Sequence, residues 1–217
     1  MRRRAEQVDQ TRQRIVEATV ALHGSVGPTA TTIAAIAEKA GVTRLTVYRH
    51  FPDDDALFGA CSAHWIGQQQ LPDPGAWSQI GDPAARLRAG LADLYRFYRA
   101  GADMLSGIYR DFTALPEAHQ QRLRDRDSDL GDVLAAPFGG AEDDRRRLRA
   151  VIGHATSFWT WRSLCFDHGL PDTEAVDVMT GMVLALTPVP QAEPARVQAQ
   201  TSQLSASSWA DRQAQGH

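Results

Sequence analysis

Residues 32–51 have the sequence TIAAIAEKAGVTRLTVYRHF, and this stretch decides the predicted fold of the N-terminal part of the chain. The hydroxyl of Thr32 is suited to cap a helix, and Gly41 supplies the left-handed backbone that ends it. Thr43 then caps a second helix. Two short helices joined by a glycine-containing turn predict a helix-turn-helix, whose second helix enters the DNA major groove. Apolar residues at i, i+3, i+4 and i+7 form the buried face of the first helix: Ile33, Ile36, Ala37 and Ala40.

The second helix has an apolar side and a polar side. Val47 and Phe51 form the inner side, and Pro52 ends the helix because the residue before a proline resists helical geometry. An arginine near the start of a helix suits bidentate hydrogen bonding to guanine, whereas threonine, tyrosine and histidine suit phosphate oxygens. A helix pair in any helical bundle is the alternative, but this solvent face is rich in donors and almost free of acids. The predicted outward residues are Arg44, Leu45, Thr46, Tyr48, Arg49 and His50.

The run TTIAAIAEKAGVTRLTVYRHFPDDDAL, preceded by TRQRIVEATVALHGSVG, resembles the tetracycline-repressor (TetR) family of bacterial transcriptional regulators over residues 11–57. The resemblance implies an all-α fold, with an N-terminal three-helix helix-turn-helix DNA-binding domain and a larger C-terminal helical domain for ligand binding and dimerisation. It further implies a homodimer on a palindromic double-stranded DNA operator, repression, and release by a small-molecule effector. The family's DNA contacts carry over onto Thr32, Thr43, Arg44, Leu45, Thr46, Tyr48, Arg49 and His50.

Two positions depart from the family pattern. Family members often have a basic residue where Ala34 stands, and very often a lysine that meets a phosphate where Asp54 stands. Because Asp54 lies between Asp53 and Asp55, this edge should repel a phosphate. The basic residues at 2–4 are a candidate replacement for the lost contacts, and a solvated terminus is the alternative.

Composition and periodicity divide the chain into four predicted segments. Residues 1–10 form a basic flexible arm, and residues 11–54 form the helix-turn-helix domain, whose first helix runs from about Thr11 to His23. Residues 55–186 form a helical regulatory and dimerisation domain. Residues 187–217 are rich in Pro, Gln, Ala and Ser without periodicity, and are predicted to be a disordered tail.

The bulk composition is that of a soluble globular protein, at 43% hydrophobic and 23% charged. There is no run long enough to span a membrane, and no apolar stretch follows the basic start, so we expect a cytoplasmic protein. The net charge of the chain is −3, whereas residues 1–52 carry eight basic and four acidic side chains. A basic end on an acidic body fits a DNA-binding domain joined to a domain that stays off DNA.

The regulatory domain shows several helical stripes. One predicted helix links the two domains from Asp55 through Ile66, and another starts at Asp82–Pro83 and ends near Ala100. A single longest helix is predicted from Asp143 to about Asp167, and a last helix is capped by Asp172 or Thr173. In the family resemblance, these two final helices form the dimer interface.

The aromatic residues of this domain are mostly expected in its core, and some are expected to line a ligand cavity between helices. No metal-binding or catalytic pattern occurs, so no metal, cofactor or enzymatic activity is predicted. Control by a protein partner or by oxidation of Cys61 and Cys165 is one alternative, and an enzyme with a helical body is another. The predicted cavity residues are Trp65, Phe97, Met104, Phe112, Phe158 and Trp161.

Overall fold

The computed structural model describes residues 2–186, with side chains from residue 6 onward, and these residues contain helices and no strands. The predicted tail, residues 187–217, lies outside the described residues. A 3-10 helix at Phe112–Ala114 and a π-helix at Ser163–Asp167 join the longer elements. The α-helices are α1 (Arg2–Val26), α2 (Ile33–Ala40), α3 (Arg44–His50), α4 (Asp54–Ile66), α5 (Pro74–Ser78), α6 (Pro83–Ala100), α7 (Ala102–Arg110), α8 (Glu117–Ala135), α9 (Glu142–Ala155), α10 (Phe158–Arg162) and α11 (Asp172–Ala185).

The first hydrophobic core joins α1, α2, α3 and the first half of α4, a region we call the head. Ile15 and Val47 are fully buried at its centre, and Phe51 is 3% exposed. The predicted inner side of the second helix is therefore confirmed. Because α1 packs against both α2 and α4, it holds the helix-turn-helix in a fixed orientation.

The first helix begins earlier than predicted. It starts at Arg2, so residues 2–10 continue α1 where a flexible arm was expected, and it extends to Val26, past the predicted end at His23. The sequence before Thr11 lacks the apolar stripe on which the prediction of this helix relied. The carboxamide and carboxylate of Gln13 and Glu17 are hydrogen-bonded one turn apart, at 2.9 Å, on the exposed side of the same helix.

The fourth helix connects the head with the rest of the structure. Its N-cap is Asp53, whose carboxylate accepts from the amide of Ala56 at 2.7 Å. Leu57 and Cys61 belong to the core of the head, whereas Trp65, farther along the same helix, packs on the second core. A tilt of α4 would therefore change the packing in both hydrophobic cores.

The second core is built around α6, and we call the region from α5 to α11 the body. The predicted start of α6 is confirmed, since the Asp82 carboxylate accepts from the Ala85 amide at 2.7 Å and Pro83 is the first helical residue. Helix α8 crosses α6 closely at Gly90, where an added Cβ would lie 2.4 Å from Leu134 Cδ2. The short helix α5, which the sequence did not predict, places buried Trp77 against this core.

The single long helix predicted from Asp143 to Asp167 is wrong, because the chain breaks after Ala155. Ser157 starts the new helix α10, with its hydroxyl accepting from the Trp159 amide at 3.3 Å. Buried hydroxyls of α6 donate hydrogen bonds to two backbone carbonyls at the break. Tyr95 donates to the Ala155 carbonyl at 2.8 Å, and Tyr98 donates to the Thr156 carbonyl at 2.7 Å.

The last helix begins one or two residues before the start that the predicted caps imply, and its cap differs. Pro171 occupies the N-cap, and Asp172 is the first helical residue. The Asp172 carboxylate instead accepts from Arg99 at 2.6 Å and from the indole of Trp161 at 2.9 Å. These bonds join α11 to α6 and α10, and they explain why this carboxylate is not used as a cap.

Candidate functional site

The helix-turn-helix has the predicted local geometry. The Thr32 hydroxyl accepts from the Ala35 amide at 3.1 Å, which caps α2. Gly41 has φ 65°, a left-handed conformation, and its amide bonds to the carbonyl of Glu38. The Thr43 hydroxyl then accepts from the Thr46 amide at 3.2 Å and caps α3. The turn between the helices is thus stabilised at both ends by its own side chains and backbone.

The outward side of α3 projects from the head into solvent. Leu45 is 78% exposed and Tyr48 is 53% exposed, although both are large and apolar over much of their surface. Arg44 and Arg49 are also exposed, whereas Val47 between them is fully buried. Since Val47 anchors the helix from behind, the exposed residues keep a common orientation. Of the predicted DNA contacts, Thr32, Thr43, Arg44, Leu45, Tyr48 and Arg49 are exposed, and Thr46 and His50 are half-buried.

Basic side chains lie near the C-terminal end of α3. The guanidinium of Arg12 on α1 lies 4.8 Å from the ring centre of Phe51, at the end of α3. The pKa of His50 lies below its usual value because of partial burial and because Arg49 and Arg12 are nearby. The positive potential that disfavours a charged His50 favours a phosphate at the same place.

The edge of the head formed by the start of α4 is acidic, as the sequence predicted. Asp53, Asp54 and Asp55 are all exposed, and the Asp53 carboxylate is used as the cap. Negative charge at a helix N-terminus stabilises the helix through its dipole. These residues therefore favour the helix while leaving the edge without a cation for a phosphate.

A hydrogen-bonded clasp joins the body to the loop before α2. The Asp111 carboxylate accepts from the Thr29 amide at 2.9 Å, and Arg110 donates to the Val26 carbonyl at 2.9 Å. Arg110 also donates to Asp111 at 2.8 Å, and this bond holds the pKa of Asp111 at about 2. Gly27 has φ 89°, and a Cβ there would collide with the Arg110 side chain. Only glycine therefore permits this close approach.

A cavity of about 380 Å³ lies where α1, α4, α6, α7 and α8 meet. Its walls are mainly apolar and include residues of both head and body. The structure places three of the predicted residues in these walls, namely Trp65, Phe97 and Met104. The wall residues that the sequence interpretation missed include Val20, His23, Phe58, Cys61, Tyr98, His119, Leu123 and Arg126.

The other three predicted cavity residues do not line it, so that part of the prediction is wrong. Phe158 and Trp161 are 1% and 0% exposed in the body core, where both pack against Tyr98, and neither lines the cavity. Phe112 lies outside the cavity in the 3-10 helix, with the Arg124 guanidinium 5.4 Å from its ring centre. A helical stripe does not distinguish a cavity wall from the layer behind it.

One sequence signal was available for the missed histidine on α8. His119 shares a helical face with Leu123, Leu130 and Leu134, at spacings of 4, 11 and 15 residues along an otherwise polar helix. A histidine on such a stripe points inward.

Both cysteines are free and buried. Burial raises the pKa of the Cys61 thiol to about 12 and that of the Cys165 thiol to about 11. Neither thiol is therefore an ionised nucleophile near neutral pH. Within residues 2–186, His, Cys, Asp and Glu side chains form no group of three arranged to hold a metal ion.

Known proteins resemble this chain in sequence over its N-terminal part and in fold over most of its length. The sequence pattern described as "Bacterial regulatory proteins, tetR family" matches residues 15–61. The HTH-type transcriptional regulator AcrR of Shigella flexneri is 33% identical over 90 residues, which are 40% of this chain and 41% of AcrR. The chain thus matches about two fifths of the length of that relative.

Solved structures share the fold over most of the chain. A TetR-like transcriptional regulator from Rhodococcus sp. RHA1 has a TM-score of 0.57 at 20% identity, covering 80% of this chain and 93% of its own. NalD of Pseudomonas aeruginosa, the secondary repressor of the MexAB-OprM multidrug efflux pump, has a TM-score of 0.53 at 19% identity, covering 83% and 96%.

The described helices between residues 2 and 186 include none that is both long enough and apolar enough to cross a membrane.

The matched segment, residues 15–61, contains the whole helix-turn-helix and its capping residues. The body adds the helical fold shared with the solved regulators. Residues 15–61 thus belong to the TetR family of bacterial regulatory proteins, and the rest of the described chain has the helical fold of the solved regulators.

Proposed function

We propose that this regulator is a cytoplasmic repressor that binds a palindromic operator as a homodimer and is released by a small molecule held in the body. The observation that carries the proposal is the exposed outward side of α3, anchored from behind by buried Val47. Such a helix fits the major groove, where its first residues meet base edges. The named repressor with the same fold, NalD, supports repression as the output.

Each residue on this surface has a chemical role in the proposal. Arg44 is the first residue of α3 and binds the O6 and N7 atoms of guanine through its guanidinium. Thr32 uses a lone pair of its hydroxyl as the helix cap, so its O–H remains a donor for a phosphate oxygen. Exposed Leu45 contacts a thymine methyl group. The remaining predicted contacts, which position the duplex through phosphates, are Thr43, Thr46, Tyr48, Arg49 and His50.

The homodimer is supported by an apolar surface on the last helices. Val178 and Met182 lie one turn apart on α11 and are 41% and 52% exposed. Trp159 on α10 and Phe166 in the π-helix are 45% and 46% exposed. Large apolar groups concentrated on one end of the chain are typical of a protein–protein interface. A two-fold axis through this surface would present two heads to two half-sites.

The release mechanism is supported by the position of the cavity. Helix α7 supplies Met104, Leu105 and Ile108 to the cavity wall, and its C-terminal residues Arg110 and Asp111 hold the loop before α2. A molecule that displaces α7 would therefore move the helix-turn-helix through this clasp. Release requires the ligand to bind the altered conformation more tightly than the DNA-binding one.

Two alternatives receive less support. Control by cysteine oxidation needs an accessible thiolate, and both thiols are buried with raised pKa values. An enzymatic body needs paired catalytic groups, and the described residues of the cavity wall offer His23, Cys61 and His119 without a carboxylate or an ionised thiol. We therefore place a binding function, and no reaction, in the body.

Selection from a pool of random duplexes tests the proposal. The full chain should enrich a palindrome whose half-sites lie about one helical turn, or a multiple of it, apart. The Arg44→Ala variant should lose about 1–3 kcal/mol on that palindrome and relax the preference at one base position per half-site. Arg146→Ala, an exposed arginine on α9, is the control and should bind like the wild type. Failure to enrich any sequence would contradict the proposal.

A further inference from the structure

The cavity wall contains a buried polar group without a hydrogen-bond partner. His119 on α8 is 6% exposed and lines the cavity. Within the described part of the chain, neither of its ring nitrogens has a hydrogen-bond partner. Leaving such a group unpaired in an apolar environment is unfavourable, so native proteins normally pair it.

The imidazole is held in place by its neighbours. The ring of Phe58 on α4 packs edge-on against it, with ring centres 4.4 Å apart. His23 on α1 packs against the same phenylalanine at 5.5 Å and contacts the Cys61 sulfur through Nδ1 at 3.6 Å. His119 is thus fixed by packing at the cavity wall, and its two buried nitrogens remain unpaired there among the described residues.

The other polar groups of the cavity wall that we compare are already hydrogen-bonded or exposed to water. The Arg126 guanidinium is hydrogen-bonded to the Tyr109 hydroxyl and to the Asp127 carboxylate. Arg122 is exposed, so an ion pair there would be screened by water. The phenol of Tyr98 already donates to the Thr156 carbonyl. Of these groups, His119 is the one whose polar atoms are both buried and unpaired.

The electrostatic environment favours a neutral partner. Burial and the nearby charge of Arg122 lower the pKa of His119 below its usual value, and the weaker influence of Asp55 raises it. The imidazole is then uncharged near neutral pH, with one N–H donor and one acceptor nitrogen. Arg122 is exposed to water and Arg126 is already bonded to Asp127, so a buried carboxylate would lose its hydration without a dedicated cation.

We propose that the cavity binds a largely apolar small molecule that carries one uncharged hydroxyl or carbonyl group, and that this group hydrogen-bonds to the imidazole of His119. The cavity volume of about 380 Å³ lies near the lower end of the range for small-molecule sites. The inference rests on the ligand-responsive function proposed above, since it names the ligand class of that same cavity.

Isothermal titration calorimetry on the full chain tests this assignment with three probes of one skeleton: biphenyl, 4-phenylphenol and biphenyl-4-carboxylate. The wild type should bind 4-phenylphenol about tenfold more tightly than biphenyl, which is the size expected from one neutral hydrogen bond. His119→Leu should remove this preference and leave biphenyl affinity within about threefold of wild type. His119→Gln, which keeps a donor and an acceptor, should retain the preference, as should the control His168→Gln at an exposed position.

Three results would overturn the assignment: tighter binding of the carboxylate than of the phenol, an unchanged preference in His119→Leu, or no binding of any probe by the wild type. The melting temperature of unliganded His119→Leu should equal or exceed that of the wild type, because the variant removes an unpaired polar group. Operator binding is measured separately. A failed calorimetric result with intact operator binding would reject only the ligand class, and a failed operator selection would leave the calorimetry interpretable.

Discussion

The carboxylate of Asp111, at the end of α7, accepts a hydrogen bond from the backbone amide of Thr29, 82 residues earlier in the chain. This bond connects the body to the loop that leads into the helix-turn-helix. Replacing Asp111 with Ala should lower the free energy of unfolding by about 1–3 kcal/mol, because the Thr29 amide and Arg110 both lose a partner. It should also speed hydrogen exchange in the loop at residues 27–31.

The control for this variant is Asp143→Ala, which removes an exposed ion pair with Arg146. A surface pair of this kind contributes under about 1 kcal/mol. Urea denaturation and amide hydrogen exchange give the two measurements. If Asp111→Ala matched the control in both, the clasp would not hold the head to the body.

The acidic edge of the head should limit operator affinity. Replacing exposed Asp54 with Lys removes a repulsive charge and adds a cation for a phosphate, so binding should tighten. The slope of log K against log salt should become steeper by about 1, the value for one additional phosphate contact. Asp129→Lys on α8 makes the same charge change on the exposed surface of the body. Equal salt slopes for the two variants would show that Asp54 lies away from the DNA.

The buried histidine of α1 should make folding sensitive to acid. Burial lowers the pKa of His23 from 6.5 to about 4, although Asp111 partly opposes the shift. Between these values the unfolded chain takes up a proton that the folded chain does not bind. The stabilising contribution is therefore complete above pH 6.5 and falls as the pH approaches 4, by up to about 3 kcal/mol.

Denaturant titrations of the full chain from pH 7 to pH 4 measure this effect. His23→Gln, which does not titrate, should flatten the fall in unfolding free energy, whereas exposed His168→Gln should reproduce the wild-type curve. A lowered pKa at His119 adds to the slope that remains in His23→Gln. Parallel curves for wild type and His23→Gln would rule out His23 as the acid-sensitive group.

The apolar surface on α11 should form the dimer interface. Met182, which is 52% exposed, would meet a second copy, so Met182→Glu should shift the sedimentation of the chain from dimer to monomer. Leu45→Glu places the same charge at a position 78% exposed on α3 and should leave the dimer intact. A monomeric wild type, or a Met182→Glu variant that still sediments as a dimer, would contradict this assignment.

Local sequence signals sufficed for the helix-turn-helix. Thr32 and Thr43 cap their helices, Gly41 adopts a left-handed conformation, and Val47 and Phe51 are buried. Each feature depends on hydrogen bonds and packing within a few residues, which a short sequence window contains. The domain-linking role of α4 followed from its apolar stripe for the same reason.

Tertiary contacts account for what the sequence did not reveal. Apolar residues recur along the chain from Leu148 to Phe166, but the hydroxyls of Tyr95 and Tyr98 on α6 donate to the carbonyls at the break after Ala155. Those partners are about 60 residues away, and no local window includes them. The cavity walls were missed in the same way, because burial alone does not separate a residue facing a cavity from one in the layer behind it.

The central claim is that the outward side of α3 lies against bases in the DNA major groove, and site-specific photo-crosslinking tests it most directly. A benzoylphenylalanine placed at Leu45, which is 78% exposed, should form adducts with the selected duplex at bases inside each half-site. The same group at Val178, which is 41% exposed on α11, should form none. Absence of adducts from position 45 on bound duplex, or equal adducts from both positions, would contradict the claim.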